Sequence, residues 1–186
     1  VACGIRKIRV TGGEPLVRED ILEICRRLAA VPDIEELCLT TNGSRLPEMA
    51  RDLRLAGVQR LNISLDTLDA GTYRQVTRGG SLARVMDGLA AAREAGFDRI
   101  KLNVVLMAGI NDHEILDLIE MTRQDEMHVR FIELMPVGDC ADWSQQHFVS
   151  NSRVLQLAPE LRDAGAGGVA RLYSLPGSKG TVGLIS

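Results

Sequence analysis

The 186 residues include 22 Lys and Arg and 25 Asp and Glu, which gives a formal net charge of −3. A chain of this length forms one domain with a substantial core, and a net negative charge argues against nucleic acid as the main partner. No apolar stretch approaches the roughly 20 residues that a membrane span requires, so no membrane partner is expected, whereas a small anionic ligand held by local cations is compatible with the composition.

The apolar periodicity predicts strands and helices in alternation. In chain order the predicted elements are a strand at 5–11, a helix at 17–31, a strand at 37–42, a helix at 46–56, a strand at 60–66, helices at 69–76 and 81–95, a strand at 99–107, a helix at 111–127 and a strand at 128–134. Repeated strand-plus-helix units indicate a parallel sheet with right-handed crossovers. We predict an α/β fold, a partial (β/α) TIM-like barrel with outer helices; a doubly wound open sheet is the alternative.

The pattern is weaker after residue 134. The elements predicted there are a loop that holds Met135 and Trp143, a helix near 153–157, a glycine-rich connection or turn at 165–168, and two weak strands at 169–174 and 181–185. Asn111 and Glu114 have the spacing of a capping box and are predicted to open the helix at 111.

The predicted strands alternate polar and apolar residues. The segment 60–66 reads RLNISLD, and the strands at 5–11, 37–42 and 99–107 alternate in the same way. Side chains two residues apart share a face, so each strand has an apolar face for the helices and a polar face on the opposite side. An antiparallel sheet with one face in water would also alternate, but the intervening helices favour parallel pairing. Because buried polar groups need partners, we predict a barrel interior that binds a polar ligand.

Three cations lie on the predicted polar faces of their strands: Arg9, Lys101 and Arg130. Together they would surround one space with positive charge, which suits a phosphate-bearing small molecule. The alternative for each residue alone is a solvated cation at the end of a strand.

The first strand ends in Gly12, Gly13 and Glu14, followed by Pro15. Glycine allows a backbone to approach a ligand without an intervening Cβ, and the Glu14 carboxylate is an acceptor for a bound ammonium group. A tight turn with proline at the start of a helix is an equally acceptable interpretation of this segment.

Five segments resemble the strand ends of radical S-adenosylmethionine enzymes. In combination they resemble the GTP 3′,8-cyclase family, which acts in molybdenum cofactor (molybdopterin) biosynthesis, and the resemblance runs from about residue 4 to about residue 148. The segments are RVTGGEPL at 9–16, LTTNG at 39–43, NISLD at 62–66, KLNVV at 101–105 and RFIELMPVG at 130–138.

This resemblance implies two sets of contacts. The residues matched to S-adenosylmethionine contacts are Gly12, Gly13, Glu14, Ser64 and Met135, and those matched to GTP contacts are Arg9, Thr40, Lys101 and Arg130. It further implies a [4Fe–4S] cluster that reduces S-adenosylmethionine, a 5′-deoxyadenosyl radical that removes the ribose 3′ hydrogen of GTP, and closure onto C8 to give (8S)-3′,8-cyclo-7,8-dihydroguanosine 5′-triphosphate. No acid–base pair is required for the first step, so no catalytic residue is assigned, and His113, His128 and His147 are too scattered to be proposed.

The cysteines depart from the pattern of the family. The resemblance implies one trio, C-x-x-x-C-x-x-C, before residue 1 and a second trio beyond residue 186. Cys3, Cys25, Cys38 and Cys140 match neither trio and follow no other metal-ligand spacing; we interpret them as reduced thiols of a cytoplasmic protein, mostly buried, and assign no metal ligand.

These observations lead to a hypothesis about the organisation of the chain. Residues 1–148 would be the radical S-adenosylmethionine barrel core without its first strand and cluster loop, and residues 149–186 the start of a C-terminal substrate and second-cluster region. The isolated chain would then be inactive.

Three alternatives stay open. They are a non-catalytic nucleotide-binding fragment, a different radical S-adenosylmethionine enzyme, and a barrel enzyme acting on a phosphorylated sugar with Lys101 as its base or Schiff-base lysine. The resemblance itself implies GTP as the substrate, a homodimer, and cyclic pyranopterin monophosphate synthase as the downstream partner.

Overall fold

Strands and helices alternate along the chain as far as residue 133. The computed structural model describes residues 4–124, 126–136 and 141–186. Its first elements are β1 (Lys7–Val10), α1 (Ile21–Ala29), β2 (Glu36–Thr41), α2 (Leu46–Leu55), β3 (Arg60–Ser64), α3 (Ala70–Val76), α4 (Leu82–Glu94), β4 (Ile100–Leu106), α5 (Ile115–Gln124) and β5 (His128–Glu133). They are followed by α6 (Ala141–Gln146), α7 (Ser152–Leu157), β6 (Arg162–Gly167), β7 (Ala170–Ser174) and β8 (Thr181–Ile185). Short 3-10 turns at Pro15–Val17 and Asp112–Glu114 precede α1 and α5.

The strands form one open sheet in the order β1-β2-β3-β4-β5-β8-β7-β6. The pairs from β1 to β5 and the pair β5–β8 are parallel, whereas β7 and β6 are antiparallel to their neighbours. The first five strands are neighbours in sequence order, without the reversal of order that defines a doubly wound sheet. The predicted partial barrel with parallel strands is therefore confirmed.

The core lies between the sheet and the helices. Leu61, Ile63, Leu102 and Val104 are completely buried, and they alternate with the polar residues of β3 and β4. Along α2, the residues Leu46, Ala50 and Leu53 are buried, the spacing of one helix face. The predicted division of each strand into an apolar and a polar face is thus confirmed, and the apolar face carries the helices.

Helices α2 and α4 pack closely because α4 has a glycine at their contact. A Cβ at Gly88 would lie 2.4 Å from the carbonyl oxygen of Gly43 and 3.1 Å from Cβ of Leu46. The absence of that atom lets α4 lie directly against the turn after β2, which fixes the position of the carboxyl end of that strand.

Two of the weaker predictions after residue 134 are wrong. Trp143 lies in α6, not in a loop, and stacks on His147 with ring centroids 4.3 Å apart. The glycine-rich segment is mainly strand: β6 pairs with β7 across a two-residue turn at Gly168 and Val169. A strand of glycine and alanine shows no alternation of side chains, so only its backbone pairing reveals it. Both predicted strands in this region are present, as β7 and β8.

The predicted capping box at the start of the 111–127 helix is also wrong. The Asn111 side chain donates to the carbonyl oxygens of Asp66 (2.6 Å) and Val105 (2.8 Å) and accepts from the Met107 N–H (2.8 Å). The buried Glu114 carboxylate accepts hydrogen bonds from the Thr67 hydroxyl and from the backbone N–H of Leu68. Both side chains therefore bind the loops after β3 and β4, because those buried backbone groups need partners.

Residues 149–186 share the sheet with the preceding part of the chain, because β8 pairs with β5. The proposed functional division at residues 148 and 149 stays a prediction. Cys25 and Cys38 are buried free thiols, whereas Cys3, Cys140 and the end of the RFIELMPVG segment lie outside the described residues. No helix in the described ranges is long and apolar enough to cross a membrane.

Replacing Asn111 by Ala should lower the free energy of unfolding by about 3 kcal/mol, because it leaves two buried carbonyl oxygens and one N–H without partners. Urea denaturation measures the change. Gln75→Ala, at an exposed position of α3, is the control and should change stability by less than about 0.5 kcal/mol. Equal effects of the two substitutions would contradict the role given to Asn111.

Candidate functional site

The polar side chains of the strands lie in three rows across the sheet. Cross-strand register defines a lower row of Arg9, Cys38 and Arg60, a middle row of Thr40, Asn62, Lys101, His128 and Thr181, and an upper row of Ser64, Asn103, Arg130 and Gly183. Residues on successive rows are two apart in each strand, so all three rows are on the same side of the sheet. We call this surface the polar face.

All nine predicted contact residues lie on the polar face or at the strand ends beside it. Five of them, Arg9, Thr40, Ser64, Lys101 and Arg130, belong to the rows. Gly12, Gly13 and Glu14 follow β1, and Met135 follows β5 with 67% of its surface exposed. Because β1 and β5 run in the same direction, these two loops are at the same edge of the sheet. The structure places these residues on one face of the sheet or at one edge of it, and their assignment to a common site stays a prediction.

The cations of the polar face have few acidic partners. Arg60 forms an ion pair with Glu36 at 2.6 Å. For Arg9, Lys101 and Arg130, no carboxylate oxygen of the described residues lies within 4.0 Å. The polar face therefore has unbalanced positive charge.

This charge changes the acidity of the groups that carry it. Burial, together with the charges of Arg130 and Arg60, lowers the pKa of Lys101 to about 8. Burial and the neighbouring Lys101 also lower the pKa of His128, so its imidazole is neutral at pH 7. Burial lowers the pKa of Arg130 as well, and Arg9 and Arg60 add to the effect. An anion bound beside Lys101, His128 and Arg130 would favour their charged forms and raise all three pKa values.

A cavity of about 110 Å³ lies between these cations and the β6–β7 hairpin. Lys101, His128 and Arg130 line one side of it, and Gly167 and Leu172 line the other. His128 is held in place by a 2.7 Å hydrogen bond between its Nδ1 and the hydroxyl of Thr181. The surface that faces the cavity is mainly apolar, so the cavity is a gap between the charged strands and the hairpin and not a preformed phosphate site.

Glu14 connects the ends of β1 and β2. Its Oε1 accepts from the Leu16 N–H (3.0 Å) and the Thr41 hydroxyl (2.7 Å), and its Oε2 accepts from the Asn42 N–H (2.7 Å). A carboxylate has about four acceptor positions, so one of them, on Oε2, is left for a ligand. Glu14 is therefore first a support for the edge of the site, and its predicted contact with an ammonium group uses the remaining position.

The two glycines before Glu14 leave the backbone open. A Cβ at Gly12 or Gly13 would meet no atom within 4 Å, and Gly12 has a φ of +153°, which favours glycine. This open backbone beside a carboxylate fits the amino acid end of S-adenosylmethionine. An iron–sulfur cluster does not fit: no group of three His, Cys, Asp or Glu side chains among the described residues could hold a metal.

Sequence reasoning gave no role to several members of the polar face, among them Arg60, Asn62 and His128. Asn62 was recognised as polar but given no role, and His128 was dismissed because the three histidines are far apart in sequence. The signal was available in the parity of the strands. Arg60 and Asn62 share the parity of Ser64, and His128 shares that of Arg130.

The comparisons with known proteins agree with this arrangement. The sequence profile described as the radical SAM superfamily matches residues 1–122. A GTP 3′,8-cyclase from Marinobacter nauticus is 48% identical over 194 residues, covering 100% of this chain and 58% of that protein. A GTP 3′,8-cyclase from Pseudomonas fluorescens is 51% identical over 161 residues, covering 86% of this chain and 48% of that protein. The chain thus spans about half the length of the curated relatives that it matches.

Two solved structures share the fold at low sequence identity. A domain of the pyruvate-formate lyase-activating enzyme from Bacteroides vulgatus has a TM-score of 0.62 at 16% identity, over 95% of this chain and 98% of that one. Coproporphyrinogen III oxidase from Escherichia coli has a TM-score of 0.62 at 15% identity, over 92% of this chain and 44% of that one. With the profile match over residues 1–122, these findings show that the chain belongs to the radical SAM superfamily.

Proposed function

We propose that this chain is the nucleotide-binding core of a GTP 3′,8-cyclase, a lyase that converts GTP to (8S)-3′,8-cyclo-7,8-dihydroguanosine 5′-triphosphate in molybdenum cofactor biosynthesis. The main support for this proposal is the unbalanced positive charge of Lys101 and Arg130 on a face that also includes Thr40 and Ser64. The similarity to GTP 3′,8-cyclases at 48% and 51% identity supports it.

Each group of residues has a defined task in this proposal. Lys101, Arg130 and Arg9 bind the triphosphate, and the hydroxyl of Thr40 contacts the nucleotide beside them. Gly12, Gly13 and the free acceptor position of Glu14 bind the amino acid end of S-adenosylmethionine. Ser64 and Met135 contact the rest of that cofactor. The two ligands then lie next to each other, which is the main contribution of a protein to radical chemistry.

The cofactors supply the chemistry that these side chains lack. When bound, S-adenosylmethionine and a [4Fe–4S] cluster supply the radical that removes a hydrogen atom from the ribose. The described residues do not hold a cluster, so the part assigned to them is to bind and orient the two ligands. We propose instead that the isolated chain binds nucleotides and does not turn over GTP.

Three further proposals concern the whole protein. A cytoplasmic location suits the free thiols of Cys25 and Cys38, which persist in a reducing compartment. A homodimer, and transfer of the product to cyclic pyranopterin monophosphate synthase, rest on the resemblance to the family alone.

Arg9→Ala and Lys101→Ala should weaken GTP binding by the isolated chain roughly 10- to 100-fold, because each removes a charged hydrogen bond to phosphate. The affinity for S-adenosylmethionine should change less than about threefold, since neither side chain is assigned to that ligand. Isothermal titration calorimetry with each ligand measures both effects.

Arg51→Ala is the matched control, since Arg51 is an exposed cation of α2 outside the polar face. It should leave both affinities unchanged. An equal loss of GTP and S-adenosylmethionine affinity in the Lys101 variant would contradict the assignment. Binding of a phosphorylated sugar in preference to GTP, with borohydride trapping at Lys101, would replace the proposal by the Schiff-base alternative.

GTP binding should weaken between about pH 7 and about pH 9, as free Lys101, with a pKa of about 8, loses its proton. A bound phosphate favours the charged ammonium and raises this pKa, so binding takes up a proton in this range. Titration in two buffers of different ionisation enthalpy measures the proton uptake. In Lys101→Gln the uptake should disappear, and its persistence would assign the proton to another group.

The same depressed pKa has the opposite effect on the stability of the ligand-free chain. Unfolding restores the ordinary pKa of Lys101, so the unfolded chain binds more protons between about pH 8 and about pH 10. The contribution of Lys101 to stability therefore rises with pH in this window, whereas the buried thiols of Cys25 and Cys38, whose pKa is raised by burial, contribute the opposite slope. The difference in unfolding free energy between the unchanged chain and Lys101→Gln isolates the Lys101 contribution and should shift in favour of the unchanged chain as pH rises. Urea denaturation at both ends of the window measures it.

A further inference from the structure

Asn62 has a buried side-chain oxygen without a partner. It is 2% exposed, and its Oδ1 accepts no hydrogen bond from the described residues. Its Nδ2 lies 3.4 Å from the Thr40 hydroxyl, a long hydrogen bond. Buried carboxamide oxygens are almost always paired, so an unpaired one marks a place where a donor is missing.

The position of this oxygen relates it to the nucleotide site. Asn62 is in the middle row, between Thr40 on one side and Lys101 on the other. Thr40 and Lys101 are both assigned to GTP in the proposed function, on which this inference rests. The Lys101 side chain is long and has no carboxylate within 4.0 Å among the described residues, so it can turn towards a phosphate that lies beside Asn62.

We infer that Asn62 is a further substrate contact, whose Oδ1 accepts a hydrogen bond from a neutral donor of the bound nucleoside, a sugar hydroxyl or a ring N–H. A carbonyl oxygen repels phosphate oxygens, so it selects this part of the substrate and not the triphosphate. The middle row then has a neutral half, Thr40 and Asn62, and a cationic half at Lys101 beside His128. The nucleoside then lies against Thr40 and Asn62, and the phosphates lie against the cations around them, Lys101 in the same row and Arg9 and Arg130 in the rows below and above.

The two possible roles of Asn62 predict different stabilities for its variants. If Asn62 has a structural role, replacing it lowers the stability of the ligand-free chain; if it is a substrate contact, replacing it does not. Removal of a satisfied side chain from a buried position lowers stability, whereas removal of an unsatisfied one is neutral or stabilising. We therefore expect Asn62→Ala and Asn62→Val to melt at the temperature of the unchanged chain or above it. The second variant fills the space that the first leaves empty.

The test compares GTP with inorganic tripolyphosphate by titration calorimetry. Asn62→Ala should weaken GTP binding roughly five- to tenfold, the effect of one hydrogen bond. Tripolyphosphate has no nucleoside, so its affinity should be unchanged. The 2′-deoxy and 3′-deoxy analogues of GTP and N1-methyl-GTP then identify the donor, because the substitution should not affect the analogue that already lacks the sugar hydroxyl or the ring N–H in question.

Asn151→Ala is the matched control. Asn151 also has a buried, unpaired Oδ1, but it lies outside the three rows, and its Nδ2 donates to the Ile185 carbonyl at 2.8 Å. This variant should melt at a lower temperature and bind GTP normally.

Each contrary result has a distinct meaning. If Asn62→Ala binds GTP as well as the unchanged chain does, or if it is destabilised as much as Asn151→Ala, this inference is overturned and the proposed function stands. Equal losses for GTP and every analogue would also overturn the contact. Absence of GTP binding by the unchanged chain overturns the proposed function, and this inference with it.

Discussion

The alternation of side chains in parallel strands of matched register is the constraint on which the site depends. In each of the strands β1 to β5, every second side chain packs under the helices. The remaining side chains therefore lie on one common surface on the other side of the sheet, whatever their chemistry. Here that surface contains Arg9, Arg60, Lys101 and Arg130 at neighbouring positions, and Arg60 is the one among them with a carboxylate nearby in the described ranges. Burial lowers the pKa of Lys101 to about 8, and repulsion from Arg130 and Arg60 adds to this effect. A protein retains such repulsion where a ligand of opposite charge relieves it, and the apolar side of the same strands offsets the cost.

The edge of the site is made rigid by side chains that bind backbone groups of other loops. Glu14 joins the loop after β1 to the end of β2, and Asn111 joins the end of β3 to the end of β4. Glu114 holds the loop that leads into α3. Most of these bonds connect segments more than 25 residues apart, so they stabilise the relative positions of strand ends and not local turns. Residues that neighbour the site thus maintain its geometry without contacting the ligand. Glu14 does this as well, and it has one acceptor position left for a ligand.

The sequence predicted the parts of the fold that repeat. The alternation in β3 and β4 specified the apolar and polar faces, and the order of elements specified the parallel sheet. Its errors concern residues whose conformation or role is set by partners distant in sequence. Asn111 and Glu114 have capping-box spacing, but their side chains bind the loops after β3 and β4. The strand β6 is defined by pairing with β7 and carries too few side chains to show a period. His128 was rejected as isolated in sequence, although its register with Lys101 places it at the centre of the polar face.

The distribution of chemical groups indicates what this part of the protein contributes to catalysis. The polar face offers cations, hydroxyls and carboxamides, which bind and orient, whereas a group of three metal-binding side chains is absent from the described residues. Among the buried thiols, Cys25 belongs to the helical layer and Cys38 to the lower row, where its Sγ donates to Glu36 at 3.2 Å. Burial raises the pKa of both thiols, which makes them poor nucleophiles and poor ligands. In the proposed function, the contribution of this chain is therefore selection and placement of the nucleotide. An enzyme that uses radicals must hold its substrate in one orientation to avoid side reactions. In the proposed function, the neutral and cationic halves of the middle row provide that orientation.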